Sequence, residues 1–325
     1  METPVLRELL VKVRFPVAAP TLDAVAEFGR EVEMPGGGDR AYALRACSPA
    51  TQAGAGRVVA VWGPAGAPGR TTVAIGLADE AARLGVPTLL ADADPYGGTV
   101  ARTVGLADET SGMALASRDA MIGRLDTVRL AQRSRQLRPR LRVLTGLSRA
   151  GRWRELRPAG LPVVLEESRR LCALTVVDCG FCLEHDDERA GPQRNGATIA
   201  TLAAADTVLC VGAADPIGLH RLSRGLDELR DVLPAVVPLI VANRITGPAT
   251  SGEIAATLQR WGGVAASAHL PADPAALDAA ARAGATLADI APTSPLRRSL
   301  VDLARALTGA SEPTQPRRRR LFARH

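Results

Sequence analysis

The stretch Gly63-Pro64-Ala65-Gly66-Ala67-Pro68-Gly69-Arg70-Thr71-Thr72 decides the fold of this chain. An apolar run, Val58-Val59-Ala60-Val61-Trp62, comes directly before it, and a helical pattern begins at Thr71. A strand, a glycine-rich loop and a helix in this order are typical of a phosphate-binding loop, in which backbone N–H groups surround a phosphate. The order therefore predicts an α/β protein with a nucleotide site after its first strand.

This loop departs from the usual phosphate-binding pattern at two positions. Pro64 stands where the first glycine of the motif belongs, and Arg70 stands where a lysine normally bridges the phosphate oxygens. No other lysine can replace it, because Lys12 is the only lysine among the 325 residues. Arginine keeps the positive charge but is bulkier and forked, so we expect it to hold phosphate and to support slow hydrolysis. The alternative is a turn between strand and helix that binds no ligand.

The rest of the chain is organised around this loop. From Arg57 onward, short β-rich runs alternate with longer helical patterns, which is typical of a parallel sheet covered by helices on both faces. We predict a doubly wound, mostly parallel P-loop NTPase domain over residues 57–310, after an N-terminal extension and linker (1–56) and before a disordered basic tail (311–325). The predicted strands are 57–62, 87–92, 141–145, 173–178, 207–212, 236–242 and 264–269. The clearest predicted helices are Thr71–Leu84, Gly160–Cys172, Pro216–Arg230 and Ser294–Leu307.

Composition narrows the cellular setting. The chain is 46% hydrophobic, yet it contains no run of eighteen apolar residues, so no membrane span is expected. Its first residues do not show the charged and then apolar order of a signal peptide, and its five cysteines lack the spacing of a disulfide scaffold. We therefore expect a cytoplasmic protein.

Arginines are concentrated in two segments, although the formal net charge is only +6. The stretch Arg124–Arg157 contains eleven arginines and two acidic residues, and the tail contains the run Arg317–Arg320 followed by Leu321-Phe322. Surfaces of this kind attract phosphate backbones and anionic lipid without reading a sequence. We predict a weak contact with nonspecific DNA or with an anionic membrane. In the second case the protein would be peripheral at the membrane. Solvated disorder is the alternative for the tail.

Three aspartates follow two of the predicted strands. Asp92 and Asp94 come at the end of one strand, and Asp178 ends the run 174–177. Because ligands of open α/β sheets bind at the carboxyl ends of the strands, we expect these acids near the phosphate-binding loop. Only one of the first two needs to face the phosphates, while the other anchors the loop. Asp178 is placed to bind Mg²⁺ through water or to accept a hydrogen bond from Thr71. Each aspartate alone could also be a simple turn former.

Two further motifs have competing interpretations. Asn243-Arg244 follows a buried strand, where a side-chain amide can pair with the edge of adenine, but asparagine also opens turns.

The pair Cys179 and Cys182, with His185 nearby, could be a dithiol or part of a zinc site. Zinc needs four ligands and no second Cys/His pair is present, so we favour a packed segment beside the phosphate site.

Taken together, several segments resemble the MinD/ParA superfamily of deviant Walker A ATPases over residues 57–310. Within it the chain most resembles the CpaE/TadZ-like branch, which is associated with Flp-type pilus assembly and with polar or septal positioning. The segments that carry the resemblance are Gly66–Thr72, Asp92–Pro95, Asp178, Ala205–Val211 and Leu239–Arg244.

The resemblance implies that ATP and Mg²⁺ are the cofactors, and it assigns roles to individual residues. Thr71 would ligate Mg²⁺, Asp94 would position the attacking water, Asp178 would be the Walker B acid and Asn243 would read adenine. From the residues themselves we add Arg70, which would offset charge as the second catalytic residue, and Asp92 as a further metal residue. The metal residues would be Thr71, Asp92 and Asp178. The nucleotide-binding residues would be Gly66, Ala67, Pro68, Gly69, Arg70, Thr71, Thr72, Asn243 and Arg244.

The resemblance also implies an ATP-dependent homodimer with a pilus-assembly or septal protein as its partner. Two family lysines are missing, since the signature lysine falls on Ala65 and the P-loop lysine on Arg70. We therefore predict an ATP-binding switch for localisation or assembly, and leave open whether it is an ATPase at all. One alternative is a nucleotide-free scaffold at a pilus or septal site. The other is a ParA-like partition factor that binds nonspecific DNA.

Overall fold

The computed structural model describes residues 56–66, 69–106, 110–185, 191–246 and 266–310, together with Glu253, Ile254, Ala256 and Leu258. The N-terminal extension up to residue 55, the loop residues Ala67 and Pro68, and the basic tail from residue 311 lie outside the described residues. The predictions made for these three segments therefore stay predictions.

The described residues form an eight-stranded sheet with the order β3-β4-β2-β5-β1-β6-β7-β8. All neighbouring strands run parallel except β3 and β4, which are antiparallel. The predicted doubly wound, mostly parallel fold is thus confirmed. The strands are β1 (Arg57–Trp62), β2 (Thr88–Ala93), β3 (Arg135–Arg138), β4 (Leu141–Leu144), β5 (Leu174–Cys179), β6 (Thr207–Ala213), β7 (Leu239–Ile245) and β8 (Ala266–Pro271).

Helices connect the parallel strands. Two short 3-10 segments, Ala150–Glu155 and Pro158–Gly160, come directly before the fifth helix. Within the described residues, none of the helices combines the length and the apolar composition needed to cross a bilayer. The helices are α1 (Arg70–Arg83), α2 (Val100–Thr103), α3 (Gly112–Met121), α4 (Thr127–Arg133), α5 (Leu161–Leu171), α6 (Gly196–Ala204), α7 (Pro216–Val232), α8 (Pro274–Ala283), α9 (Leu287–Ile290) and α10 (Pro295–Thr308).

The central strand β1 shows why the sheet is covered on both faces. Val58, Ala60 and Trp62 point into one hydrophobic core, and Val59 and Val61 point into a second core on the opposite face. Successive side chains of a strand point to opposite faces, so an unbroken apolar run is buried only when both faces are packed. β1 is a central strand, so its carboxyl end, and the loop that follows it, lie in the middle of the row of strand ends on that side of the sheet.

The edge strand β3 is the element that the sequence does not reveal. Its sequence, Arg-Gln-Leu-Arg, is polar and short, and it lies within the arginine-rich segment. It pairs antiparallel with β4 at the end of the sheet, where only one neighbour is needed and charged side chains can face solvent. The seven predicted strands all have counterparts within a few residues.

Helix α1, which carries the phosphate-binding loop at its start, is fixed by close packing against α10. A methyl group added at Gly76 would lie 3.2 Å from Leu300 Cδ2, so the two helices approach where the side chain is absent. The buried Glu80 of α1 accepts a 2.7 Å hydrogen bond from Arg297 of α10. These contacts hold the middle of α1 against α10, and with it the helix that follows the phosphate-binding loop.

Candidate nucleotide-binding site

The loop between β1 and α1 has the backbone of an anion cradle in its described residues. Gly66 and Gly69 have φ angles of 108° and 92°, which only glycine adopts without strain. Gly69 is the N-cap of α1 and contributes no side chain, so it cannot cap the first helical N–H groups. These N–H groups and the positive end of the helix dipole favour a phosphate or another anion at this position.

Arg70, in the lysine position, is turned toward its own loop. Its Nη1 atom donates hydrogen bonds to the carbonyl oxygens of Gly63 (2.8 Å) and Pro64 (3.3 Å). The guanidinium also lies 5.7 Å from the centroid of the Phe181 ring. The arginine therefore closes the base of the loop, and part of its donor capacity is used within the protein.

Thr71 and Asp178 form the central polar contact of the site. The Thr71 hydroxyl, in the first turn of α1, donates a 2.6 Å hydrogen bond to Asp178 Oδ2 near the end of β5. The strands β1 and β5 are neighbours, with Val61 paired to Asp178, so the register brings the two residues together. This is one of the two contacts that the sequence allowed for Asp178.

The second oxygen of Asp178 fits a cation. Oδ1 is buried and has no hydrogen-bond partner among the described residues. Burial raises the pKa of Asp178 to about 7, although the hydrogen bond from Thr71 and the charge of Arg70 act in the opposite direction. A buried, unpartnered carboxylate oxygen beside a hydroxyl is unfavourable without a ligand, and oxygen donors are what Mg²⁺ prefers. The residues present therefore fit a magnesium ion.

Asp92, predicted as a metal residue, has the geometry of a loop anchor. Its side chain is fully buried, and its two oxygens accept hydrogen bonds from the backbone N–H groups of Asp94 and Val100, both at 3.2 Å. Gly98 and Gly146 lie against the carboxylate where no side chain would fit. Burial and the neighbouring Asp178 raise the pKa of Asp92 well above its ordinary value. Metal binding by Asp92 stays a prediction, and anchoring is the other role that the spacing allows.

Asp94 lies near the same end of the sheet, facing the segment after β5. Its Oδ1 atom accepts a 2.8 Å hydrogen bond from the backbone N–H of Tyr96, which shapes the turn after β2. The same oxygen is 3.1 Å from the position that a β-carbon on Gly180 would occupy. The structure thus brings Asp94 and Asp178 together at the carboxyl ends of β2 and β5, with Asp94 partly exposed and Asp178 buried.

Asn243 and Arg244 occupy the end of β7, and they differ in environment. Asn243 is buried, and its amide packs against Gly69, so that an added methyl group there would lie 3.6 Å from Asn243 Cγ. Arg244 is exposed and has a φ angle of 58°, in the left-handed region. Adenine recognition by these residues stays a prediction. The geometry shows that Asn243 contacts the start of α1.

Sequence reasoning missed an aromatic cluster between the loops of the site. The rings of Tyr96 and Phe181 stack with centroids 4.6 Å apart, and the Arg194 guanidinium lies 4.0 Å from the Tyr96 ring. The Tyr96 hydroxyl donates a 2.8 Å hydrogen bond to Asn195 Oδ1, and burial raises the pKa of Tyr96 to about 12. The only available signal was the scarcity of aromatic residues, 3% of the chain, combined with two of them after strand ends.

The pair Cys179 and Cys182 shows neither a disulfide nor a metal cluster. Both are free thiols, and Cys182 accepts a 3.2 Å hydrogen bond from Asn195. Burial, with Asp178 nearby, raises the pKa of Cys179 well above its ordinary value, which disfavours the reactive thiolate. Over the described ranges, no group of three or more His, Cys, Asp or Glu side chains is arranged to hold a metal ion.

About half of the arginines in the segment Arg124–Arg157 use their side chains in contacts within the protein. Arg138 forms an ion pair with the buried Asp79 at 2.8 Å, and Arg133 pairs with Asp119 at 2.8 Å. Trp153 packs against the core, with the Arg154 guanidinium 4.6 Å from its ring. Three further arginines, Arg140, Arg142 and Arg152, bond to backbone or side-chain oxygens. DNA or membrane contact through this segment stays a prediction.

These features define a P-loop NTPase fold with a magnesium-compatible Thr and Asp pair. The same fold occurs in solved structures of ParA and MinD ATPases, which confirms the MinD/ParA type of architecture. No protein-family model matches the sequence, and no curated protein matches it either.

Three solved structures illustrate the similarity. A ParA family ATPase from Chlorobium tepidum TLS has a TM-score of 0.66 and 19% identity, covering 77% of this chain and 99% of that one. The septum site-determining protein MinD complexed with Mg-ADP, from Pyrococcus horikoshii OT3, has a TM-score of 0.61 and 17% identity, covering 77% and 95%. An ATP complex of a McdA variant from Cyanothece has a TM-score of 0.60 and 15% identity, covering 80% and 99%.

Proposed function

We propose that this protein binds ATP with Mg²⁺ and acts as a nucleotide-dependent switch for localisation or assembly. The observation that carries the proposal is the Thr71 and Asp178 pair, in which a buried carboxylate oxygen has no partner among the described residues. The pair lies at the start of the helix that follows the glycine loop, where an anion is favoured. A phosphate-bound cation satisfies both features at once.

The residues divide the binding task between them. The backbone from Gly66 to Thr72 would hold the phosphates, and Thr71 and Asp178 would hold Mg²⁺, with Asp92 fixing the loop that carries Asp94. Mg²⁺ takes few protein ligands and completes its shell with water and phosphate oxygens, so a site with two protein side chains suffices. The ion would supply charge neutralisation on the phosphates.

We infer that hydrolysis is slow. Arg70 donates to the carbonyl oxygens of Gly63 and Pro64, and a guanidinium held there offers less to a phosphoryl group that gains charge during transfer. Asp94 is the candidate for orienting a water molecule, because it is the partly exposed acid at this edge. A slow ATPase suits a switch, since the bound state persists long enough to recruit a partner.

The names of solved proteins with this fold support the localisation role. One is a septum site-determining protein and another is a ParA family ATPase. We propose that nucleotide binding promotes a homodimer and recruitment to a pilus-assembly or septal protein, as in the CpaE-like branch. The scaffold alternative shares the fold and the partner but needs no nucleotide.

Titration with a fluorescent ATP analogue tests the proposal. We expect saturable binding that requires Mg²⁺ and is strongly weakened in Thr71→Ala and Asp178→Ala. A matched control is Thr207→Ala, which removes a threonine hydroxyl at the opposite end of the sheet from the site. The absence of saturable binding to the wild-type protein, with the fold intact by circular dichroism, would favour the nucleotide-free scaffold.

A further inference from the structure

A second arginine reaches the phosphate-binding loop from helix α7. Gly66 lies so close to the Arg221 side chain that a methyl group added to the glycine would be 3.3 Å from Arg221 Cζ and 3.4 Å from its Cδ. The Nη1 atom would be closer still, so any side chain at Gly66 would collide with the guanidinium. The left-handed φ of Gly66 and the absence of a side chain let the loop and the arginine meet.

The approach of α7 to the loop is fixed by a second glycine. Residues four apart lie on the same face of a helix, so Gly225 faces the loop below Arg221. A methyl group at Gly225 would lie 2.8 Å from Pro64 Cβ and 3.4 Å from Trp62 Cη2. This close approach of Gly225 to Pro64 and Trp62 holds the middle of α7 against the strand end and the first half of the loop, one turn after Arg221. The position of Arg221 is therefore set by packing.

The charges explain what Arg221 can do there. Arg70 already donates to two loop carbonyls, and Ala65 carries no charge. Arg221 is exposed and makes no ion pair or hydrogen bond with any residue that the structure describes. The site also contains three carboxylates, Asp92, Asp94 and Asp178. A triphosphate adds further negative charge, so a cation with uncommitted donors at the loop is needed to balance it.

We propose that Arg221 is a phosphate-binding residue of this site, which supplies from α7 the positive charge that the loop itself lacks. Its planar fork suits two phosphate oxygens at once, as in bidentate arginine contacts. The inference rests on the proposed ATP binding and extends it, since the ligand group that Arg221 recognises is the polyphosphate of the nucleotide.

Calorimetric titration of the full-length chain with Mg-ATP tests this role. We expect Arg221→Ala to weaken ATP binding by about tenfold or more, because charge-assisted hydrogen bonds are lost, and Arg221→Lys to fall between wild type and alanine. The matched control is Arg230→Ala, which removes the same charge from the same helix about 13 Å further along its axis. Its exposed side chain pairs with Asp227. We expect its affinity to stay within about twofold of wild type.

A competition experiment identifies the part of the ligand involved. Inorganic tripolyphosphate should displace a fluorescent ATP analogue from wild type and from Arg230→Ala, but about tenfold less effectively from Arg221→Ala. Arg221 is exposed, so all variants should keep the wild-type melting temperature. Equal affinity of Arg221→Ala and Arg230→Ala, or tighter ATP binding by Arg221→Ala, would overturn the inference while leaving ATP binding in place. If wild type and Thr71→Ala both fail to bind ATP, the proposed function fails as well.

Discussion

The Thr71 hydroxyl donates a 2.6 Å hydrogen bond to the buried Asp178, across the gap between the first turn of α1 and the end of β5. The bond supplies a partner for one carboxylate oxygen and leaves the other for a cation. In the proposed site it would therefore serve both the stability of the ligand-free protein and the binding of Mg²⁺, and the two contributions can be separated by substitution.

Replacing Thr71 by valine tests the double role of this hydroxyl. Valine keeps the shape of the side chain but leaves both Asp178 oxygens buried without a donor, so the free energy of unfolding at pH 8 should fall by about 1–3 kcal/mol. Mg²⁺-dependent ATP binding should be lost at the same time. Thr71→Ser, which keeps the hydroxyl, should preserve both properties. Urea denaturation and titration with or without EDTA measure the two effects. An unchanged stability would contradict the structural role.

Replacing Arg70 by lysine tests whether the arginine slows hydrolysis. Arg70 contacts both loop carbonyls through Nη1 alone. The compact ammonium of lysine, on a flexible chain, can follow a phosphoryl group more closely as charge develops. We expect phosphate release to become several-fold faster with ATP affinity nearly unchanged. The control Arg230→Lys makes the same exchange away from the site and should leave the rate alone. Phosphate release by Arg70→Lys that is slower than, or equal to, that of wild type would show that the arginine does not slow hydrolysis.

The parts of the site that could be predicted from the sequence are those that follow apolar strands. Gly66, Gly69 and Thr71 follow β1, and Asp178 lies near the end of β5, so the rule that ligands bind at strand ends brings them together. The bond between Thr71 and Asp178 is one of two contacts that the residues themselves allowed. The polar edge strand β3 could not be found, because it lacks the apolar pattern that marks a buried strand.

Arg221 could not be predicted, for a different physical reason. It is 155 positions from Gly66, and their contact depends on β6 pairing with β1 and on α7 packing close to the loop. No local pattern contains this information. An exposed arginine in a helix resembles the many others in this arginine-rich chain, so only the packing of Gly225 on Pro64 distinguishes it.

Substitution of Gly225 by alanine tests this packing. Alanine usually stabilises a helix interior by about 0.5–1 kcal/mol relative to glycine. Here the methyl group would lie 2.8 Å from Pro64 Cβ, and a backbone shift is required, so we expect a net loss of about 1–2 kcal/mol in the free energy of unfolding. Gly151→Ala is the control, because a methyl group there would meet no atom within 4 Å. A Gly225→Ala protein as stable as wild type in urea would mean that α7 does not touch the loop.

The pH dependence of stability should contain a contribution from Asp289 in α9. Its carboxylate contacts Arg138 and Arg83, each at 2.5 Å, and accepts a 2.8 Å hydrogen bond from Thr286. The hydrogen bond from Arg138, above all, lowers the pKa of Asp289 below its ordinary value of 3.8. A carboxyl whose pKa is lower in the folded state stabilises the fold fully above its unfolded pKa, and this stabilisation is lost as the pH falls toward the folded pKa.

Asp289→Asn should therefore be less stable than wild type at pH 7, and the difference should shrink as the pH falls below about 4. Other acids such as Asp92 and Asp178 titrate in both proteins, so their effects cancel in this difference. Urea unfolding at pH 7, 5, 4 and 3 measures it. The exposed Asp227, which pairs with Arg230 within one helix, provides the control Asp227→Asn, for which a small difference is expected throughout. A gap between wild type and Asp289→Asn that is equally large at pH 3 and pH 7 would show that the ion pairs of Asp289 do not stabilise the fold through its charge.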